Sequence, residues 1–149
     1  MKNKYSILII CVIFGLISCH KTQKQEIFFH KSHEESRKNA PFSDVTQVGN
    51  LYFLTGQIGK NHQTGKMAVG IEAETTQVLK NIEDVLKQHQ LTLKDVVKCT
   101  FILADIDDFS KMNDVYTTFF VDNLPARTTF AANLVAGAKI EIEVIAAKK

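Results

Sequence analysis

"DVVKCTFILADIDDFSKMNDVYTTFF", Asp95 to Phe120, changes its hydrophobic period halfway along. Up to Leu103 the apolar residues alternate, which predicts a strand with Val97, Cys99, Phe101 and Leu103 on one face. Beyond the acidic turn, Phe109, Met112, Tyr116 and Phe119 recur at three- and four-residue steps. That spacing predicts a helix, with Asp107 or Asp108 as its N-cap. Cys99, small and inside the strand, reads as an inert core residue.

Working outward, "SDVTQVGNLYFLTGQIG" (Ser43–Gly59) predicts two strands around the turn dipeptide Gly49-Asn50. In the second strand Leu51 and Phe53 oppose Tyr52 and Leu54, so both faces are expected to be covered. "KNHQTGKM" is a polar loop. From about Glu72 to Gln90, Val78, Ile82, Val85 and His89 repeat at helical spacing, with Leu79 and Leu86 widening the stripe. After Pro125 come two more strands, in "ARTTFAANL" and "KIEIEVIAA". The order is two or three strands, helix, strand, helix, two strands. It predicts an α+β fold in which two helices pack on one face of a mixed β-sheet.

In the last strand Ile140, Ile142 and Val144 are expected to face the helices, with Glu141, Glu143 and Ile145 opposite. Strand alternation separates Arg127, Thr129 and Ala131 from Thr128, Phe130 and Ala132. Arg127 is assigned to the face of Glu141. That second face, half apolar and half polar, suits a subunit interface.

The chain has 149 residues, of which 45% are hydrophobic and 23% charged, the composition of one globular domain. Its start reads differently. Lys2 and Lys4 precede an unbroken apolar run from Ile7 to Ile17, too short to span a membrane comfortably, so residues 1–18 read as a secretory signal. It ends in "LISC", similar to the lipobox of bacterial lipoproteins, whose cysteine, here Cys19, is acylated. Residues 19–39 read as a polar tether with room for one short strand, and 40–149 as the domain. His30, His33 and Glu34 lack a further ligand at useful spacing, so no metal site is assigned. The 18 basic residues fall to 16 once Lys2 and Lys4 leave with the signal, equal to the 16 acidic ones. A neutral mature chain carries no electrostatic footprint for nucleic acid.

The stretches "TGQIG" from Thr55, "DVVKCTFILADIDDF", "MNDVYTTFF", "PART" from Pro125 and "KIEIEVIAA" together resemble the Rid (YjgF-like) reactive-intermediate deaminases. The resemblance covers the chain from about Ala40 to its end. It implies the chorismate-mutase-like sandwich, assembled as a homotrimer with sites in clefts between subunits. It also implies hydrolysis of 2-imino or enamine acids, such as 2-aminoacrylate, to 2-oxo acids and ammonia, with no metal or organic cofactor. Arg127 matches the arginine that grips the substrate carboxylate, and Glu141 the glutamate that orients water. Asn113, Thr55 and Gly56 match positions lining the cleft.

Two departures stand out. Ala40-Pro41-Phe42 replaces the family's Gly-Pro-Tyr, and Thr129 stands where many members have cysteine. Both residues remain candidates for substrate contact. The alternative reading is a non-catalytic trimeric module that binds a small carboxylate. The signal implies a lipid-anchored protein of the bacterial cell envelope, touching membrane only through its anchor. Without use of the signal, a cytoplasmic location is expected, as for most relatives.

Overall fold

The computed structural model describes residues 25–122 and 124–149. The signal and the acylation expected at Cys19 lie outside the described residues. The elements run β1 Ile27–His30, β2 Val45–Val48, β3 Leu51–Leu54, β4 Gln57–Ile58, α1 Ile71–Gln88, β5 Val96–Leu103, α2 Phe109–Phe119, β6 Ala126–Ala131 and β7 Ile140–Ala147. They form one mixed sheet in the order β1-β2-β3-β7-β5-β6, with β4 also paired to β7. Both helices pack on one face.

Local chemistry accounts for the connections. The β2–β3 hairpin pairs Val48 with Leu51 across the two-residue loop Gly49-Asn50, and Gly49 takes the positive φ of 57° that such a turn requires. The strand β5, helix α2 and strand β6 make a crossover, so β5 and β6 run parallel while the other pairs are antiparallel. The segment read as a tether holds β1, registered on β2 from Ile27↔Val48 to His30↔Val45. After β1, Arg37 pairs with Asp44 at 2.7 Å, which pins this stretch to the domain.

The core lies between helices and sheet. Val78, Leu79, Ile82 and Leu86 of α1 and Met112 of α2 are fully buried against Phe101 and Leu103 of β5 and Ile140 and Ile142 of β7. In β7 the expected alternation holds, with Ile140, Ile142 and Val144 inside.

Three local expectations are corrected or narrowed. In β5 a β-bulge between Val96 and Lys98 turns Val96 inward, and Val97 stands 47% exposed, off the face of Cys99, Phe101 and Leu103. At α2 Asp108 stands at the N-cap position, as one of the two expected residues, but its side chain accepts no capping hydrogen bond. The carboxylate of Asp105 instead accepts from Asp107 N at 3.0 Å, capping the short turn that leads into the helix. In β3 only Tyr52 and Leu54 are covered within one chain, while Phe53 remains 39% exposed.

Candidate active site

Arg127 lies opposite Cys99 of β5, which in turn lies opposite Val144 of β7. Registered residues share a face, so Arg127 points to the helix side. Glu141 lies opposite Ile102, and Ile102 opposite Phe130, all on the other side. The assignment of Arg127 to Glu141's face is therefore overturned. Within one chain the two residues occupy opposite faces of the sheet.

Around Arg127 the chain builds an aromatic box. The guanidinium carbon is 4.7 Å from the ring centre of Tyr116, 5.4 Å from that of Phe109 and 5.6 Å from that of Phe101. Such placement over ring faces favours a cation. Burial raises the Tyr116 phenol above its ordinary range, so the ring stays neutral beneath the charge. One N–H, at Nη1, donates to Asn113 Oδ1 at 2.8 Å. Among the described residues no carboxylate pairs with Arg127. The fork is thus oriented, half-buried and left with donors to spare, the condition for gripping an incoming carboxylate. Thr129, one pleat further along β6 and opposite Phe101, shares Arg127's side. Cys99 beneath is fully buried, and burial pushes its thiol up to about 12, the value of an inert core cysteine.

Glu141 belongs to a second constellation. It lines a cavity of about 340 Å³ together with Phe42, Thr55 and Gly56, and the walls also include Arg37 and His62. Gly56 is required there: a Cβ at this position would lie 2.0 Å from Glu141 Oε1, so the bare backbone makes room for the carboxylate. Burial, and secondarily the charge of Glu143, raises the Glu141 carboxyl above the ordinary carboxylate range. A carboxylate so tuned is suited to exchanging a proton with water.

Phe42 is 45% exposed at the cavity mouth, with the Arg37 guanidinium 5.8 Å from its ring centre. Arg37 is held from below, donating to Gln57 Oε1 at 2.7 Å and pairing with Asp44. Sequence reasoning missed both Arg37 and His62. Each becomes a wall residue only because the segment before β2 and the loop after β4 fold over the sheet edge.

The predicted site residues thus fall into two groups. Arg127, Asn113 and Thr129 gather on the helix side of β6, and Phe42, Thr55, Gly56 and Glu141 around the cavity on the other side of β7.

Comparison with known proteins covers both groups. The model of a family described as endoribonuclease L-PSP matches residues 33–148. The chain is 38% identical, over 71% of its length and 80% of the relative's, to a mouse protein named 2-iminobutanoate/2-iminopropanoate deaminase. Among solved structures, it resembles a Thermotoga maritima protein described as a putative endoribonuclease, with a TM-score of 0.76 and 37% identity over 82% of this chain and 98% of that one. It also resembles Escherichia coli TdcF with bound serine, with a TM-score of 0.71 and 28% identity over 73% and 89% of the two chains.

Proposed function

This chain belongs to the endoribonuclease L-PSP family, that of the Rid (YjgF-like) proteins, and on that premise we propose that it hydrolyses 2-imino and enamine acids to 2-oxo acids and ammonia. The mixed sheet with two helices is the family's chorismate-mutase-like fold. The observation that carries the proposal is Arg127: a guanidinium oriented by Asn113 and three rings, with no carboxylate of its own among the described residues. The curated deaminase among its relatives gives the reaction class, and the serine held by TdcF is a small amino acid that carries the carboxylate such a fork would grip.

In the proposed reaction Arg127 takes the substrate carboxylate through two parallel N–H donors. Glu141, ionised, accepts a proton from water as its oxygen adds to the imine carbon, and returns that proton to the nitrogen that leaves. Because the two groups lie on opposite faces of one chain, the working site takes Arg127 from one copy and Glu141 from the next. Phe42 supplies an apolar wall at the cavity mouth.

Ammonia release from freshly generated 2-aminoacrylate or 2-iminobutanoate, with and without the purified protein, tests the proposal. Acceleration supports it. A protein that binds the carboxylate without accelerating release is the binding module instead.

We further propose that the chain is anchored in the cell envelope through Cys19. Among the described residues no helix is long and apolar enough to cross a membrane. Fractionation of wild type and Cys19→Ser decides the matter, since equal membrane retention of both would end the anchoring reading.

A further inference from the structure

On its face of the sheet Glu141 stands among apolar side chains. It lies opposite Ile58 of β4 on one side and opposite Ile102 of β5 on the other, and Ile102 in turn lies opposite Phe130. Directly opposed residues of antiparallel strands bring their Cβ atoms within about 4.5–5.5 Å, so carbon flanks the carboxylate on both neighbouring strands. Ile58 also lines the cavity that Glu141 shares with Phe42. Phe42, where the family pattern has tyrosine, adds a ring without a hydroxyl.

A third apolar residue reaches this cavity from the loop between β6 and β7. Val135 lines its wall and is 68% exposed. It begins a tight turn: Ala138 N–H bonds Val135 O at 3.1 Å, while Ala136 takes a φ of 56° and Gly137 one of 70°. Positive φ at both central residues is the mark of a type I′ turn, where asparagine, aspartate or glycine is preferred. Alanine is strained there, and such strain is characteristic of positions that serve a site. What the turn presents at the cavity is an isopropyl group.

The cations of the wall do not offset this lining. Arg37 already pairs with Asp44 and donates to Gln57 Oε1, each at 2.7 Å, and Lys60 is exposed to solvent. The surface of the cavity is mainly carbon, and its volume of about 340 Å³ lies in the range that encloses drug-sized ligands. A three-carbon acid such as 2-aminoacrylate leaves much of it empty.

We propose that Phe42, Ile58 and Val135 form a side-chain subsite that selects 2-imino acids with branched apolar side chains, and that Val135 sets this preference. The inference rests on the imine-hydrolase reading and adds the substrate class. The imine carbon is held for water at Glu141 and the carboxylate by Arg127 of a neighbouring copy. The substrate's side chain is then the part left to meet the three apolar residues. A branched alkyl group buried there removes apolar surface from water on both partners. A second carboxylate would shed its hydration against carbon walls, with Arg37 already committed.

The test measures kcat/KM for ammonia release from three 2-imino acids, generated in place by oxidation of alanine, leucine and glutamate. It uses the full chain and its Val135→Ser and Val135→Thr variants, with the mass of each recorded by light scattering. Wild type is expected to favour the leucine-derived imine about tenfold over the alanine-derived one, and by more over the glutamate-derived one. Val135→Ser is expected to lower the leucine-to-alanine ratio about tenfold. Val135→Thr, which keeps the shape and adds only a hydroxyl, shifts the ratio in the same direction and gives the reading if the serine variant does not fold. A wild type that prefers the alanine- or glutamate-derived imine overturns the assignment. So do Val135 variants that slow all three substrates equally, the mark of a residue that only joins copies. If wild type releases ammonia from all three at equal rates, the hydrolase reading stands and the subsite falls. If it releases none, both fall together.

Discussion

Arg127 and Glu141 are opposite solutions to placing a charge where water is scarce. Arg127 is stabilised by what surrounds it, three ring faces and the Asn113 amide, and keeps its donors. Charge-assisted hydrogen bonds contribute about 1.5–3 kcal/mol, so Arg127→Ala is expected to weaken carboxylate binding by about one to two decades. Arg127→Lys should recover only part of this, because an ammonium keeps the charge without the fork. Steady-state imine hydrolysis and carboxylate titration of the two variants check both statements. Glu141 is instead disfavoured as an anion by burial and by Glu143. Its carboxyl is therefore raised in the folded chain, and the charged form costs stability above the ordinary carboxylate range. Glu141→Gln should melt higher than wild type at neutral pH, and the difference should vanish as pH falls and both forms become uncharged. The same substitution should depress turnover more than binding and remove the acidic limb of the rate profile. A variant that melts lower at pH 7 and turns over normally would assign Glu141 a structural role.

At the scale of elements, α1 ends in a way that invites improvement. Gln90 adopts a φ of 60°, its N–H bonding Lys87 O at 3.1 Å while Leu91 N–H bonds Leu86 O at 3.0 Å. This is a Schellman closure with a side chain where glycine is preferred. The left-handed conformation costs a non-glycine residue about 1–2 kcal/mol, so Gln90→Gly should stabilise the chain by about 1 kcal/mol. A thermal melt raised by about 2–8 °C is the expected reading, and an unchanged or lowered melt would mean that the glutamine side chain contributes packing of its own. The helices and strands themselves were legible, because periods of two and 3.6 are properties of contiguous sequence. What spans elements was not. Alternation within "RTTFAANL" separates Arg127 from Thr128, but only register on β5 decides which set faces the helices. The bulge at Val96–Lys98 likewise shifts parity by one residue without any mark in the apolar pattern. Glu34 and His62 meet only because two loops close over the same edge, and no spacing within either segment encodes that.

For the whole molecule, the consequence lies in the sheet face that the helices leave uncovered. Phe53, Val97 and Phe130 are exposed there, 39%, 47% and 44%, on the side that also carries Glu141 and Glu143. A surface mixing aromatic residues with carboxylates and threonines suits burial against another copy of the chain better than open water. A head-to-tail arrangement closed by a three-fold axis would set the Arg127 edge of each copy against the Glu141 cavity of the next. Light scattering should therefore return three times the chain mass at micromolar concentration. A sharper test follows from the proposed division of the site between copies. Arg127→Ala and Glu141→Gln are each expected to be nearly inactive alone. Refolded together in equal amounts, they form mixed trimers in which some sites receive Arg127 from one variant and Glu141 from the other. With random pairing, about one site in four is intact, so roughly a quarter of wild-type activity should return on mixing. If mixed trimers form, shown by mass, and activity stays at the level of the separate variants, then the two residues do not serve a common site, and the assignment of chemistry to the subunit boundary is wrong.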